Sequence, residues 1–271
     1  MRRIVVTPAG RSRYLSLLAR HLAAQRTSFD EWHVWLNTDV PTDIQLCRDL
    51  AARYSWVKLI PLNTTFNRNF SIHSFFKNCV DPSAMYLRLD DDVVWLEPEF
   101  AEKMFAFRER RPEFFLVYGN IINNAVISHI YQRCGLIDYR YGRCGYDCLD
   151  GVGWATPKFT QYLHETFLVD LAAGATSRWR CFPEWQLYLY ERVSINAVAF
   201  LGSDFARFKG AVPPDEEPWL ASIYPAAEQK MCAINGSALC VHFAFGPQRV
   251  LPAFDEATLL AQYEKFAPVL A

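Results

Sequence analysis

The chain has 271 residues, 51% of them hydrophobic and 21% charged, with a formal net charge of -1 at pH 7. That length and apolar content can fill the core of one large α/β domain, and the near-neutral charge argues against binding nucleic acid through an overall basic field. No apolar run reaches the length of a membrane span and the start MRRIVVT is unlike a secretory leader, so a cytoplasmic protein is expected, with contact at the inner face of the membrane left open.

Residues 3–7 read as a strand, 11–25 as an amphipathic helix with Leu15, Leu18 and Leu22 on one face, and 32–37 as a second strand. A helix over 42–54, a strand over 56–60 and a short helix over 72–79 follow, leading to the apolar run 85–89. This βαβ series predicts a mainly parallel sheet with helices on both faces. In such sheets ligands bind beyond the carboxyl ends of the strands. Residues 99–110 read as helix and 113–118 as a strand that delivers Gly119-Asn-Ile-Ile-Asn-Asn124. Periodicity is lost over 132–153, a stretch rich in Gly, Cys, Tyr and Arg that is expected to be a functional loop or an acceptor-side flap. A helix over 157–171, late strands over 193–200 and 238–245, and a closing helix over 255–266 complete the chain. No repeat, linker or low-complexity tract divides it, so a single domain over 1–271 is expected. The eight cysteines are scattered, only Cys144 and Cys148 lie close, and no zinc spacing is completed around them; reduced thiols are expected.

Three consecutive carboxylates, Asp90, Asp91 and Asp92, stand between the apolar runs 85–89 and 93–96. If the strand continues through them, Asp90 and Asp92 project to one side and Asp91 to the other. Carboxylates at the end of a buried strand repel one another unless a cation or hydrogen-bond donors neutralise them. Oxygen ligands of this kind suit Mg²⁺ or Mn²⁺, held by one or two carboxylates together with substrate phosphates. A solvated turn would carry Gly, Pro, Asn or Ser rather than run straight into another apolar stretch. The triplet therefore points to a bound nucleoside diphosphate.

In order along the chain, Val5-Val-Thr-Pro-Ala-Gly-Arg11, Leu89-Asp-Asp-Asp-Val93, Gly151-Val-Gly-Trp154, Asp215-Glu-Glu217 and Val241-His-Phe243 resemble the motifs of the GT-A glycosyltransferases. A looser likeness is to the small bacterial and large-virus members that build surface glycans. The resemblance implies a GT-A-like sheet, with a nucleotide- and metal-binding half over 1–96 and an acceptor-binding half over 97–271. It also implies a nucleoside-diphosphate sugar donor, UDP foremost, a hexosyl or deoxyhexosyl group transferred to a glycan or lipid-linked glycan, and Mn²⁺ or Mg²⁺ as cofactor.

By that resemblance Asp92 binds the metal directly, Asp90 contacts the ribose or reaches the metal through water, and Asp91 belongs with the donor-binding residues. The metal acts as a Lewis acid on the leaving diphosphate. His242 is a late metal ligand, or else a core histidine bonded to a backbone carbonyl. An inverting enzyme needs a carboxylate to take the acceptor hydroxyl's proton. Glu216 and Glu217 compete for this role, Glu216 slightly favoured and Asp150 next in line; Asp215, in the same acidic segment, also reads as an N-cap. Thr7, Ala9 and Arg11 follow the first strand, where an arginine can approach the base or diphosphate. Asn37, Thr38 and Asp39 end the second strand at the nucleobase side, and Asn69, Ser71 and His73 precede the metal strand. Gly153 and Trp154 belong to a loop that lets backbone approach the donor sugar, and Asn120, Asn123 and Asn124 could bind hydroxyls or merely end a strand.

Two other classes compete. A sugar-phosphate nucleotidyltransferase would carry a Gly-Gly-x-Gly-x-Arg loop where this chain has Pro8-Ala-Gly-Arg11. A non-catalytic carbohydrate- or metal-binding module would not need the βαβ scaffold ahead of the aspartates.

Overall fold

The computed structural model describes residues 1–269; the last two positions of the expected domain lie outside the described residues. Strand β1 (Arg2–Ala9) is an Ile/Val-rich run buried along its last six residues, as a strand covered on both faces should be. Helix α1 (Ser12–Ala24) buries Leu15, Leu18 and Leu22, the stripe its periodicity predicts. Strand β2 (Glu31–Leu36), helix α2 (Pro41–Arg53) with its proline in the first turn, and strand β3 (Val57–Pro61) complete two βαβ turns. Strands β4 (Ala84–Leu89) and β5 (Val93–Leu96) flank the aspartates.

Then come α3 (Phe100–Arg110), β6 (Val117–Ile122), α4 (Ala125–Arg133), α5 (Pro157–Ala172), β7 (Glu184–Leu187), β8 (Ala197–Leu201) and α6 (Gly202–Ala206). The short helices α7 (Glu216–Pro218) and α8 (Tyr224–Glu228), strand β9 (Cys232–His242) and helix α9 (Glu256–Phe266) follow.

All nine strands join one mixed sheet in the order β3-β2-β1-β4-β8-β6-β9-β5, with β7 also on β9. The first four are parallel, β8 runs antiparallel to both β4 and β6, and β9 is parallel to β6. The carboxyl ends of β1, β2 and β4 thus open at one edge, beside the antiparallel β8. A ligand crevice is expected there. No helix among the described residues is long and apolar enough to cross a membrane, and all eight cysteines are free.

Several boundaries move. The strand predicted over 113–118 lies instead at Val117–Ile122, because Phe115 leaves the sheet line to stack on Phe205 at 5.7 Å. The short helix predicted over 72–79 is a 3₁₀ stretch, Arg68–Asn78. Strand β9 starts six residues before the predicted 238, running through Gly236, where any Cβ would lie 1.8 Å from the Phe182 carbonyl oxygen; only glycine permits that approach. The segment 132–153 has no regular structure beyond the end of α4.

Candidate active site

The carboxyl ends of the parallel strands face a cleft of about 650 Å³. Strand β4 stops at Leu89, and the Val93 backbone N–H donates to the Asp90 carbonyl at 3.1 Å, so 90–92 is a turn. The strand alternation expected for the three aspartates does not hold. Asp91 and Asp92 share Arg11, while Asp90 turns to a different set of partners.

Asp91 is nearly fully buried and accepts from Gly10 N at 2.7 Å, from Arg11 Nε at 2.8 Å and from Arg11 Nη2. Gly10 has to be glycine, since a Cβ there would sit 2.9 Å from the Asn37 carbonyl oxygen. Asp92 Oδ2 accepts from Arg11 Nη1 at 2.8 Å and Arg249 Nη2 at 3.0 Å. Burial alone would raise its pKa, but Arg11, His242 and Arg249 outweigh burial and hold the Asp92 carboxyl below the usual carboxylate range. Asp92 Oδ1 is buried with no hydrogen-bond partner.

His242 ends β9 and supplies the neighbouring nitrogen. Its Nδ1 lies 3.2 Å from the Asn123 carbonyl, which can only accept, so Nδ1 carries a hydrogen and Nε2 is the ring nitrogen left for a partner in the cleft. That Nε2 faces Asp92 Oδ2 at 3.5 Å. A proton on Nε2 or a metal cation can satisfy this contact, and a histidine whose other nitrogen donates to a backbone carbonyl is oriented as metal-bound histidines are. No three His, Cys, Asp or Glu groups converge as a ready-made metal cage among the described residues. The pair therefore fits a hard cation only if phosphate oxygens and water complete the shell, the usual arrangement for Mg²⁺.

A second cluster lies in the same cleft. Arg88, almost wholly buried within β4, donates from Nη2 to Asp90 Oδ1 at 3.0 Å and lies 3.5 Å from Glu216 Oε1. Asn196 Nδ2 holds the other Asp90 oxygen at 3.1 Å. Burial pushes the Glu216 carboxyl up to about 7, with Arg88 pulling the other way. Glu217 is tied up instead: Arg192 donates to its Oε1 through Nε at 3.0 Å and Nη2 at 2.8 Å, and Ile195 N reaches Oε2 at 3.3 Å. Asp215 is exposed at the head of α7 and makes no capping bond.

Of the remaining predicted positions, Arg11, Asn37, Thr38, Asp39 and Asn69 line the cleft. Thr7 and Ala9 do not. Both are fully buried in β1, and the Thr7 hydroxyl accepts from Trp32 Nε1 at 3.0 Å. His73 turns back to the Phe70 carbonyl at 2.8 Å, outside the cleft wall, and Ser71 braces Asn37 at 2.8 Å from behind. Gly153 and Trp154 are also absent from the wall. Gly153 is needed because a Cβ would meet Ala125 Cα at 2.9 Å, and Asp150 accepts from Gly145, Val152 and Gly153 N–H groups to staple its own loop. Asn120 and Asn123 bond backbone inside the core, and Asn124 caps α4 through Ile127 N at 3.4 Å.

Sequence reading missed Arg249, Arg88, Asn196 and Arg192. Only Arg88 left a signal, a charge inside an otherwise apolar strand, which must find a partner when buried. Arg249 is set by Tyr14 and by Glu256 of α9, the latter at 3.2 Å, contacts that no local pattern announces.

No protein-family model and no curated protein sequence matches this chain. Among solved structures, it is similar to a mannosyltransferase of Pyrobaculum calidifontis, PcManGT, in complex with GDP-Man and Mn²⁺: TM-score 0.53, 13% identity, 89% of this chain and 56% of that one covered. It is also similar to S. aureus TarS residues 1–349, at TM-score 0.51 and 13% identity, covering 97% of this chain and 71% of that one. The fold is GT-A-like. This chain therefore spans little more than half of the mannosyltransferase's length. A CMP-2-keto-3-deoxy-manno-octonic acid synthetase bound to CTP aligns over 98% of this chain and 100% of that one at 13% identity, but its TM-score of 0.49 is too low to argue from. At such identities the likeness concerns the fold alone.

Proposed function

We propose that this protein is a metal-dependent hexosyl- or deoxyhexosyltransferase that takes its sugar from a nucleoside-diphosphate donor, UDP foremost, and passes it with inversion to a hydroxyl of a glycan or lipid-linked glycan. The observation that carries this reading is a juxtaposition. One cleft holds an aspartate facing an imidazole nitrogen, Arg11 beside that aspartate, and a buried glutamate poised near neutrality.

Charge supports it. Asp91 and Asp92 are offset by Arg11 and Arg249, so a divalent cation alone would add two positive charges to a balanced site. A cation arriving with a diphosphate leaves the balance intact. Asp92 and His242 would hold the metal, which when bound supplies Lewis-acid stabilisation of the leaving diphosphate. Arg11 gives the phosphates a planar, permanently charged surface, and Arg249 offsets Asp92 beside it. Asn37, Thr38 and Asp39 line the part of the cleft left for base and ribose. Glu216 accepts the proton from the acceptor hydroxyl as that oxygen attacks the anomeric carbon. A cytoplasmic protein working at the inner face of the membrane, where lipid-linked acceptors are presented, suits the same reading.

Calorimetric titration tests the donor side. UDP is expected to bind more tightly with Mn²⁺ than without it, by the roughly 5- to 150-fold of an ordinary coupling free energy, and Mn²⁺ alone should bind weakly. UDP affinity indifferent to metal, or no UDP binding, overturns the reading. Replacing His242 by alanine should raise the Mn²⁺ concentration needed for half-maximal UDP binding by at least the roughly 10- to 100-fold that loss of an outer-sphere metal partner brings. A lower melting temperature with an unchanged Mn²⁺ midpoint would return His242 to the core-residue reading.

A further inference from the structure

Glu191 lines a second cavity, of about 380 Å³, while its chain neighbour Arg192 lines the cleft. Its wall consists of Tyr146, Trp185 and Tyr188 with Glu184, Gln186 and Glu191. Aromatic side chains ordinarily bury their faces. Here Tyr188 is 65% and Trp185 36% exposed. Two of these rings, Trp185 and Tyr146, are nonetheless held in place. Trp185 Nε1 donates to the Tyr146 hydroxyl at 2.6 Å, Trp185 packs edge-on against Phe182 with centroids 6.3 Å apart, and Tyr146 packs against His129 at 5.3 Å. Rings fixed in advance lose little freedom when a ligand covers them.

The polar groups around the rings are hydroxyl-binding in character. Gln186 Nε2 donates to Glu184 Oε1 at 2.7 Å while Arg111 holds Glu184 Oε2, and Glu191 Oε2 accepts from Leu189 N at 3.0 Å, leaving oxygens of Glu191 and Gln186 at the rim. Flat apolar faces ringed by such acceptors match a pyranose, which has apolar C–H faces and a rim of hydroxyls. The Glu191 carboxylate repels an anionic chain, whereas Glu184 is paired with Arg111.

We propose that this groove binds a neutral glycan and, resting on the transferase reading above, holds the acceptor chain where it leaves the cleft. An added peptide strand is the rival occupant, because β7 pairs only with β9. It fits less well: β7 has four residues, and Tyr190 just beyond it takes the left-handed φ of 56°, which breaks the line of the edge.

Calorimetric titration of maltohexaose, cellohexaose and chitohexaose, without nucleotide or metal, is the test, with polygalacturonate and an eight-residue Thr-Val repeat peptide for comparison. At least one neutral hexasaccharide should bind saturably and polygalacturonate should not. Tyr188→Ala and Trp185→Ala should each weaken that binding roughly tenfold, Trp185→Phe should keep most of it, and UDP affinity should not change. Tyr188 is exposed enough that its loss leaves the core intact, so the result does not hinge on the tryptophan variant folding. Failure of all three hexasaccharides, affinities unmoved by both alanine variants, or binding of the peptide instead overturns the proposal. Because glycan binding is read without UDP, it stands or falls separately from the donor site.

Discussion

Glu216→Gln is expected to lower turnover by roughly 10²- to 10⁴-fold, the span of lost general-base help, with UDP affinity unchanged. The expectation singles out this glutamate on geometry. Both carboxylate oxygens of Glu217 are committed to Arg192 and the Ile195 backbone, whereas Glu216 lines the cleft with one cation, Arg88, at 3.5 Å. Glu217→Gln should mainly weaken the Arg192 contact and leave turnover within a few fold. Asp215→Asn, at an exposed position without a capping bond, should do less still.

The pH dependence of the wild type sharpens the test. A base must be ionised, so activity should rise with pH through about 7 and fall below it. Stability should move the other way. The folded-state value lies above the ordinary 4.5, so folding favours the protonated carboxyl; that contribution is complete below about 4.5 and is lost as pH climbs through about 7. Between pH 5 and 8 the wild type should gain rate while losing stability, on the order of 3 kcal/mol at the upper limit. Glu216→Gln should flatten both curves. Rate profiles and denaturant midpoints at several pH values measure this. A near-normal rate in the variant, or an acid limb that survives in it, would mean that the base lies elsewhere or that configuration is retained.

Much of the frame was legible because its signals are local. Apolar runs such as 85–89 and the stripe Leu15, Leu18, Leu22 report burial directly. Helix α4 was not: with nine residues, seven of them buried, it is too short for its period to stand out beside the apolar strand before it. Strand β7 was also missed: four residues, two of them polar, pair with β9 far along the chain. The aspartates were recognised as the centre of the site, but their orientation was misread. Aspartate also favours turns, and here the turn at 90–92 replaced strand alternation and sent Asp90 to Arg88. Thr7 and Gly153, ligand contacts on the sequence pattern, are explained by packing, one through Trp32 and the other through Ala125. What could not be read was pairing at long range: Arg249 with Asp92, and Glu216 with Arg88, meet only once the sheet has formed.

Asp92→Ala should abolish the gain in UDP affinity that Mn²⁺ gives the wild type, and it should do so without unfolding the protein. Each group that loses Asp92 keeps another partner. Arg11 retains Asp91, Arg249 retains Glu256 and the Ala244 carbonyl, and His242 retains the Asn123 carbonyl. The substitution also removes one negative charge from a site where two arginines remain. UDP without metal should therefore bind the variant at least as tightly as it binds the wild type, since the phosphates meet an excess of positive charge with no carboxylate to repel them. A residue of purely structural importance would weaken UDP binding with and without metal alike. The two conditions should thus move in opposite directions: metal-free affinity held or raised, metal-dependent gain lost. Titrations of UDP into both proteins, with and without Mn²⁺, give the four affinities required. An Mn²⁺ gain of the same size in Asp92→Ala would remove Asp92 from the metal site and leave Arg11 as the cation that meets the diphosphate.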